Sequence, residues 1–206
     1  MALKVLAIGD LSNNIVMFKK FTKSNIHLIN FPWDGPSKVI DIRDGVEFFK
    51  SVKVKDVLKR INEIKNEFDI CIAMSSTGLL MSYLADLNYI AYFCGHDIRS
   101  PPFIKDMHDP LSTDKPIYDF NSLERRYYKK AYDNAIAAVV TDDELLEHLK
   151  KYRDDPTRIT GYIVDTSIFN ENVKPIERKK TKFTFISPAR MGLQKGTEKI
   201  WEALRL

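Results

Sequence analysis

Apolar residues occur in short, nearly unbroken blocks, and between them lie stretches in which they recur every three or four positions. The blocks at residues 3–8, 26–31, 69–74, 89–94 and 135–140 have the length and the Ile, Val, Leu, Tyr and Phe content of buried β-strands. Residues 39–42 are read as a further strand. From Val54 the period changes: Val54, Val57, Leu58, Ile61 and Ile64 alternate with Lys, Arg, Asn and Glu, which predicts an amphipathic helix ending near Glu67. Leu79, Leu80, Tyr83, Leu84 and Leu87 mark the next helix, opened by a polar turn at residues 75–78. A third covers residues 123–133. Thr141, with Glu144 three residues on, forms a capping box for a helix reaching about Lys151.

Residues 98–121 hold Pro101, Pro102, Pro110 and Pro116 and are expected as a loop. Strands alternating with helices predict an α/β fold, a Rossmann-like and mostly parallel sheet with helices on both faces. Residues 1–172 are assigned to this domain and the charged stretch 173–182 to a linker. Residues 183–186 and about 197–206 read as one more strand and helix, which cannot bury a core of their own. The expectation is therefore that 183–206 opens a second α/β domain truncated at Leu206.

With 206 residues, 44% of them hydrophobic and 29% charged, the chain is neither disordered nor collagen-like. No apolar run is long enough to span a bilayer, and no signal peptide is recognised at the start, so the default expectation is a cytoplasmic protein. Cys71 and Cys94 sit in apolar runs and read as buried free thiols, with no metal-ligand spacing around them. The net charge of +4 does not signal nucleic acid, because residues 1–170 carry 23 basic and 24 acidic groups while 171–206 carry 9 and 4.

In parallel sheets ligands gather beyond the carboxyl ends of the strands. Gly9 and Asp10, Ser75 and Ser76 with Thr77 and Gly78, and Gly95, His96 and Asp97 all fall at such ends. Gly9 belongs to no G-x-G-x-x-G pattern, which disfavours a dinucleotide site. Ser75 and Ser76 are candidates for a polar ligand, although helix capping alone would explain them. His96, between a glycine and an aspartate directly after a buried strand, is the main candidate for chemistry: its imidazole can donate to a sugar hydroxyl or phosphate, or polarise a reacting group. A loop histidine bonded to a nearby carbonyl is the competing account. Arg190 and Lys195 flank a helix start in a strand-to-helix loop, a charge arrangement suited to a diphosphate.

Taken together these residues resemble the retaining, GT-B-fold glycosyltransferases of family four. Arg190 and Lys195, in Ala-Arg-Met-Gly-Leu-Gln-Lys-Gly, match that family's arginine, four residues, lysine-glycine signature at the entrance of the donor-binding domain. The segment Gly161-Tyr162-Ile163-Val164-Asp165, with Phe169 after it, resembles the family's asparagine-glycine-valine-aspartate stretch, and His96 with Asp97 falls where the family places a histidine near the donor sugar. Gly9-Asp10 departs from the family's paired glycines, and its glutamate, seven residues, glutamate motif would lie beyond Leu206. The resemblance implies sugar transfer from a nucleoside-diphosphate donor to a carbohydrate or lipid-linked acceptor, with retained configuration and neither a metal nor a further cofactor. It makes His96 catalytic, Arg190 and Lys195 donor-diphosphate ligands, and Gly9, Asp10, Ser75, Ser76 and Asp97 candidate substrate contacts. The fragment alone is expected to be inactive.

Two alternatives stand beside this reading: a non-catalytic α/β binding or interaction module, and a sugar-nucleotide epimerase of the same architecture. Residues 98–107 and the helix bearing Arg125, Arg126, Tyr127, Tyr128, Lys129 and Lys130 offer either peripheral contact with an anionic membrane at its inner face or a plain solvated surface.

Overall fold

The structure is a computed structural model, described for residues 3–11, 13–22, 24–32, 44–50, 53–105, 119–159, 161, 163–167, 170–172, 199, 202, 203 and 205. Seven strands pair in the order β3-β2-β1-β4-β5-β6-β7: β1 (Lys4–Ile8), β2 (Asn25–Asn30), β3 (Glu47–Phe48), β4 (Ile70–Met74), β5 (Tyr89–Phe93), β6 (Ala137–Val140) and β7 (Pro156–Arg158). Every pairing is parallel. The helices between them are α1 (Asn14–Phe21), α2 (Val54–Ile64), α3 (Ser75–Leu84), α4 (His96–Arg99), α5 (Ser122–Asp133) and α6 (Asp143–Leu149). The chain winds outward from β1 to β3, then returns to lay β4 on the other side of β1. The expected Rossmann-like α/β sheet is therefore present, with its order reversing between β1 and β4.

Alternation along the strands divides the core. Leu6, Ile8, Cys71, Ala73, Tyr89, Ala91, Phe93, Ala138 and Val140 point to the face covered by α2, α3, α5 and α6, and are buried with Val57, Ile61, Leu79, Ala131, Leu145 and Leu149. Val5, Ala7, Ile26, Leu28, Met74 and Tyr92 point to the other face, where Ile15 and Phe18 of α1 pack on them. Strands buried on both faces read as continuous apolar runs, which is why they were legible. Each fully buried aliphatic or aromatic side chain contributes about 1.5–3 kcal/mol against exposure.

Several elements differ from the sequence reading. Helix α1 was not expected between the first two strands, because its apolar positions Ile15, Val16 and Phe18 are few; Asn13 stands at its N-cap but makes no side-chain capping bond. The polar residues 75–78 form the first turn of α3 instead of a separate turn. Part of the expected loop after β5 is the short helix α4. The cap of α6 is Asp142, whose Oδ1 accepts from the Leu145 N–H at 2.9 Å, and not Thr141. A complete capping box stands instead at α5, where Asn121 and Glu124 each bond the other's main-chain N–H. Strand β7, not expected from the sequence, begins at Pro156, which is tolerated at the start of an edge strand. The strands expected at 39–42 and 183–186 and the linker 173–182 lie outside the described residues.

Candidate functional site

The carboxyl ends of β1, β4, β5 and β6 bring together the segments that start at Gly9, Ser75, Cys94 and Thr141. Between β1 and β4 the backbones approach closely. Gly9 has φ +83° and lies against the carbonyl of Met74, while Gly78 of α3 lies against the carbonyl of Ile8. Ser75, the first residue of α3, is held at φ +69°, a left-handed conformation that costs a non-glycine residue of order 1–3 kcal/mol. Its Oγ accepts from the Gly78 N–H at 3.3 Å, which caps the helix.

Asp10 is buried, and its carboxylate accepts from the N–H groups of Ile15 and Val16, both at 3.0 Å. It thereby closes the amino end of α1, and its own N–H donates to Asn30 Oδ1 at 3.0 Å. The same Asn30 oxygen accepts from the Phe31 N–H at 2.9 Å, so one amide side chain joins the ends of β1 and β2.

His96 opens α4 and is exposed, whereas Gly95 before it and Asp97 after it are buried. Asp97 Oδ1 accepts from the Gly95 N–H at 2.9 Å and from the Cys94 N–H at 3.3 Å. Burial pushes the Asp97 carboxyl up to about 6, against the opposing pull of those N–H groups. The Asp97 carbonyl accepts from the Tyr132 hydroxyl at 2.6 Å, and Tyr132 in turn lies 3.0 Å from Ser76 Oγ. With its one proton given to Asp97, the Tyr132 oxygen accepts from Ser76. The Tyr132 ring is packed between Phe93 and Phe103, with centroids 5.2 and 4.9 Å away. On the outer side, Arg99 forms a forked pair with Glu144 of α6 at 2.8 and 3.2 Å, and that hydrogen bond holds the glutamate below its usual range.

Of the residues singled out in the sequence, Gly9, Asp10, Ser75, Ser76, His96 and Asp97 therefore lie at the same end of the sheet. His96 is the exposed imidazole there, and Asp10, Ser75, Ser76 and Asp97 hold the loops and helices around it. Arg190 and Lys195 lie outside the described residues. Asp165 is buried and accepts from Lys20 of α1 and from the N–H and hydroxyl of Ser167, the latter two at 3.0 and 2.6 Å. Those bonds hold its carboxyl down at about 2 and tie the 163–167 segment to α1. Sequence reasoning missed Asn30 and Tyr132. Asn30 carries a signal in hindsight, since a polar residue ending a buried strand must find a partner.

Burial pushes the Cys71 thiol up to about 12, and Cys94 is also raised, first by burial and then by Asp97. A cavity of about 180 Å³ opens at the amino ends of β4 and β5, lined by Lys65, Asp69, Cys71, Asp86 and Asn88 among others, on the side of the sheet away from His96. Among the described residues no group of three or more His, Cys, Asp or Glu side chains is placed to hold a metal ion, and no helix is long and apolar enough to cross a membrane.

No family model and no curated protein matches the sequence. Among solved structures, UGT2 of Phytolacca americana, solved with UDP-2fluoro-glucose and pterostilbene, is similar with a TM-score of 0.46 and 12% identity over 81% of this chain. This chain spans about half of that one, 55% of its length.

Proposed function

We propose that the chain carries the acceptor-side, Rossmann-like unit of a GT-B glycosyltransferase that transfers a sugar, with retained configuration, from a nucleoside diphosphate to a carbohydrate or lipid-linked acceptor. The observation that carries the reading is His96. It is an exposed imidazole on a short, firmly anchored turn at the carboxyl end of a central parallel strand, two strands from β1 and beside the reversal between β1 and β4, where such sheets bind ligands. The imidazole would meet the donor sugar or its phosphate. Arg190 and Lys195 would neutralise the departing diphosphate, the charge stabilisation that such a leaving group requires. On this reading residues 1–172 form the acceptor unit, 173–182 connect, and 183–206 open the donor-binding unit.

Peripheral contact with a membrane belongs to the same proposal. Helix α5 carries Leu123, Arg126, Tyr127 and Lys130 at spacings of three and four, all exposed, which combines apolar anchors with cations on one face. Co-sedimentation with liposomes containing anionic lipid, compared with neutral liposomes, tests it.

The activity is tested by incubating the full-length enzyme, donor-binding unit included, with uridine, guanosine and adenosine diphosphate hexoses and a panel of sugar acceptors, with NMR of the anomeric proton in the product. Transfer with retention that is lost in His96→Ala supports the proposal. Binding of sugar nucleotide without turnover points to the interaction module, and a free sugar nucleotide of altered stereochemistry points to the epimerase.

A further inference from the structure

Asp97 is next to the exposed imidazole in sequence but turned away from solvent, with 4% of its surface accessible. Its side chain folds back two and three residues to take the N–H groups of Gly95 and Cys94. These are the last residues before His96, and the turn they make has no other side chain acting as acceptor among the described hydrogen bonds. Its main-chain carbonyl is fixed independently by Tyr132, itself wedged between two phenylalanine rings. His96 is thus held from both sides: before it by the carboxylate of Asp97, after it by the carbonyl of the same residue.

We infer that Asp97 is a positioning residue for His96, its enclosed carboxylate fixing the turn of Cys94 and Gly95 that delivers the imidazole to the carboxyl end of β5. This inference rests on the glycosyltransferase reading for what His96 then does to substrate. Asp97 does not itself touch substrate. An acceptor oxygen is the property that matters, because Oδ1 alone reaches both N–H groups; the negative charge is incidental to the turn.

The prediction separates Asp97→Ala from Asp97→Asn. Alanine leaves two N–H groups without their acceptor, so Cys94 and Gly95 should exchange their amide protons at least about tenfold faster, while Leu6 and Leu28 in the central strands keep their rates after correction for global stability. The His96 ring resonances should shift, and in the full-length enzyme kcat for hexose transfer should fall at least about tenfold with KM within about threefold. Asparagine keeps Oδ1 and should restore exchange, ring resonances and kcat to within about threefold. Tyr132→Phe, which keeps the ring and removes only the bond to the Asp97 carbonyl, serves as a second variant if alanine does not fold; it should shift the His96 ring resonances and lower kcat in the same direction.

Uniform acceleration of exchange throughout the sheet with unmoved His96 resonances would overturn the inference and leave Asp97 a core residue only. So would asparagine behaving as alanine does. If the full-length wild-type enzyme, donor-binding unit included, shows no transfer with any donor, the functional reading fails, and the exchange rates and ring resonances still decide the placement of His96 without it.

Discussion

Gly78 of α3 stands against the main-chain carbonyl of Ile8, so close that a Cβ at this position would lie 2.2 Å from that oxygen. Four residues into the helix, this contact sets how near α3 comes to the end of β1. Gly9, next along β1, leans the same way on the carbonyl of Met74. The two glycines let the two strand ends and the helix between them close on one another through main-chain atoms.

A methyl group at Gly78 has backbone, not a flexible side chain, as its obstacle. Gly78→Ala should therefore cost about 1–3 kcal/mol from overpacking, although alanine is the better helix former by about 1 kcal/mol. Urea denaturation would show a lowered midpoint at unchanged slope. A variant as stable as the wild type would mean that the helix shifts freely, and that its approach to β1 is not set by this contact.

Asp97 links stability to pH in a direction opposite to most carboxylates. Its folded-state pKa, raised by burial to about 6, lies above the unfolded value of about 3.9, so the native state binds the proton more tightly. The stabilisation is fully present below about pH 4 and is lost as pH rises through about 6, amounting to roughly 2–3 kcal/mol by neutral pH. Asp97→Asn, which mimics the neutral acid and keeps Oδ1, should remove this contribution and be more stable than the wild type at pH 8, with the gap closing toward pH 4. Urea titrations across that interval check it; a constant gap would show that the carboxyl titrates at its ordinary value.

Arg153 and Asp155 form an ion pair whose two ends are worth very different amounts. The Arg153 side chain is 9% exposed and also donates to the carbonyls of Tyr132 and Ala135 at 2.6 and 2.9 Å, which closes the end of α5 onto β6. Asp155 is 56% exposed. Arg153→Leu leaves two carbonyls short of a donor and should cost about 2–4 kcal/mol, whereas Asp155→Asn removes a screened surface charge and should cost less than about 1 kcal/mol. Thermal unfolding of the pair would rank them, and equal losses would place the stabilisation in the ion pair itself.

The strands were readable because a residue buried on both faces must be apolar at every position, as in Leu6, Ala7 and Ile8 or Ala91, Tyr92 and Phe93. Helix α2 was readable because only one side is buried, at Val57, Ile61 and Ile64. What escaped was decided by tertiary contact. Helix α1 is closed by Asp10, a side chain three residues before its nearest flanking position Asn13, which no local capping rule would select. For the site, strand-end logic found Gly9, Ser75 and His96, since the position of a residue after a strand is a sequence property. It could not tell that Asp10 and Asp97 would spend their oxygens on main-chain N–H groups, because that depends on how the chain turns after them.

The chemistry itself is tested at three positions. If His96 acts at the donor sugar, His96→Ala in the full-length enzyme should lower transfer by about 10²-fold or more, the range for a positioned acid, base or polarising group, while leaving the urea midpoint unchanged, since the side chain is exposed. Arg190→Ala and Lys195→Ala should each reduce kcat by about 10²-fold if they stabilise the leaving diphosphate, and Arg190→Lys should fail to restore it fully because a point charge cannot reproduce the planar fork. The three differ in salt response. Added salt should depress what remains of transfer in the two cation variants less than in the wild type, having less electrostatic stabilisation left to screen, and should depress His96→Ala as it does the wild type. Unchanged turnover in the cation variants would remove the diphosphate assignment, and unchanged turnover in His96→Ala would remove the sugar-side role and leave His96 a surface residue of a binding module.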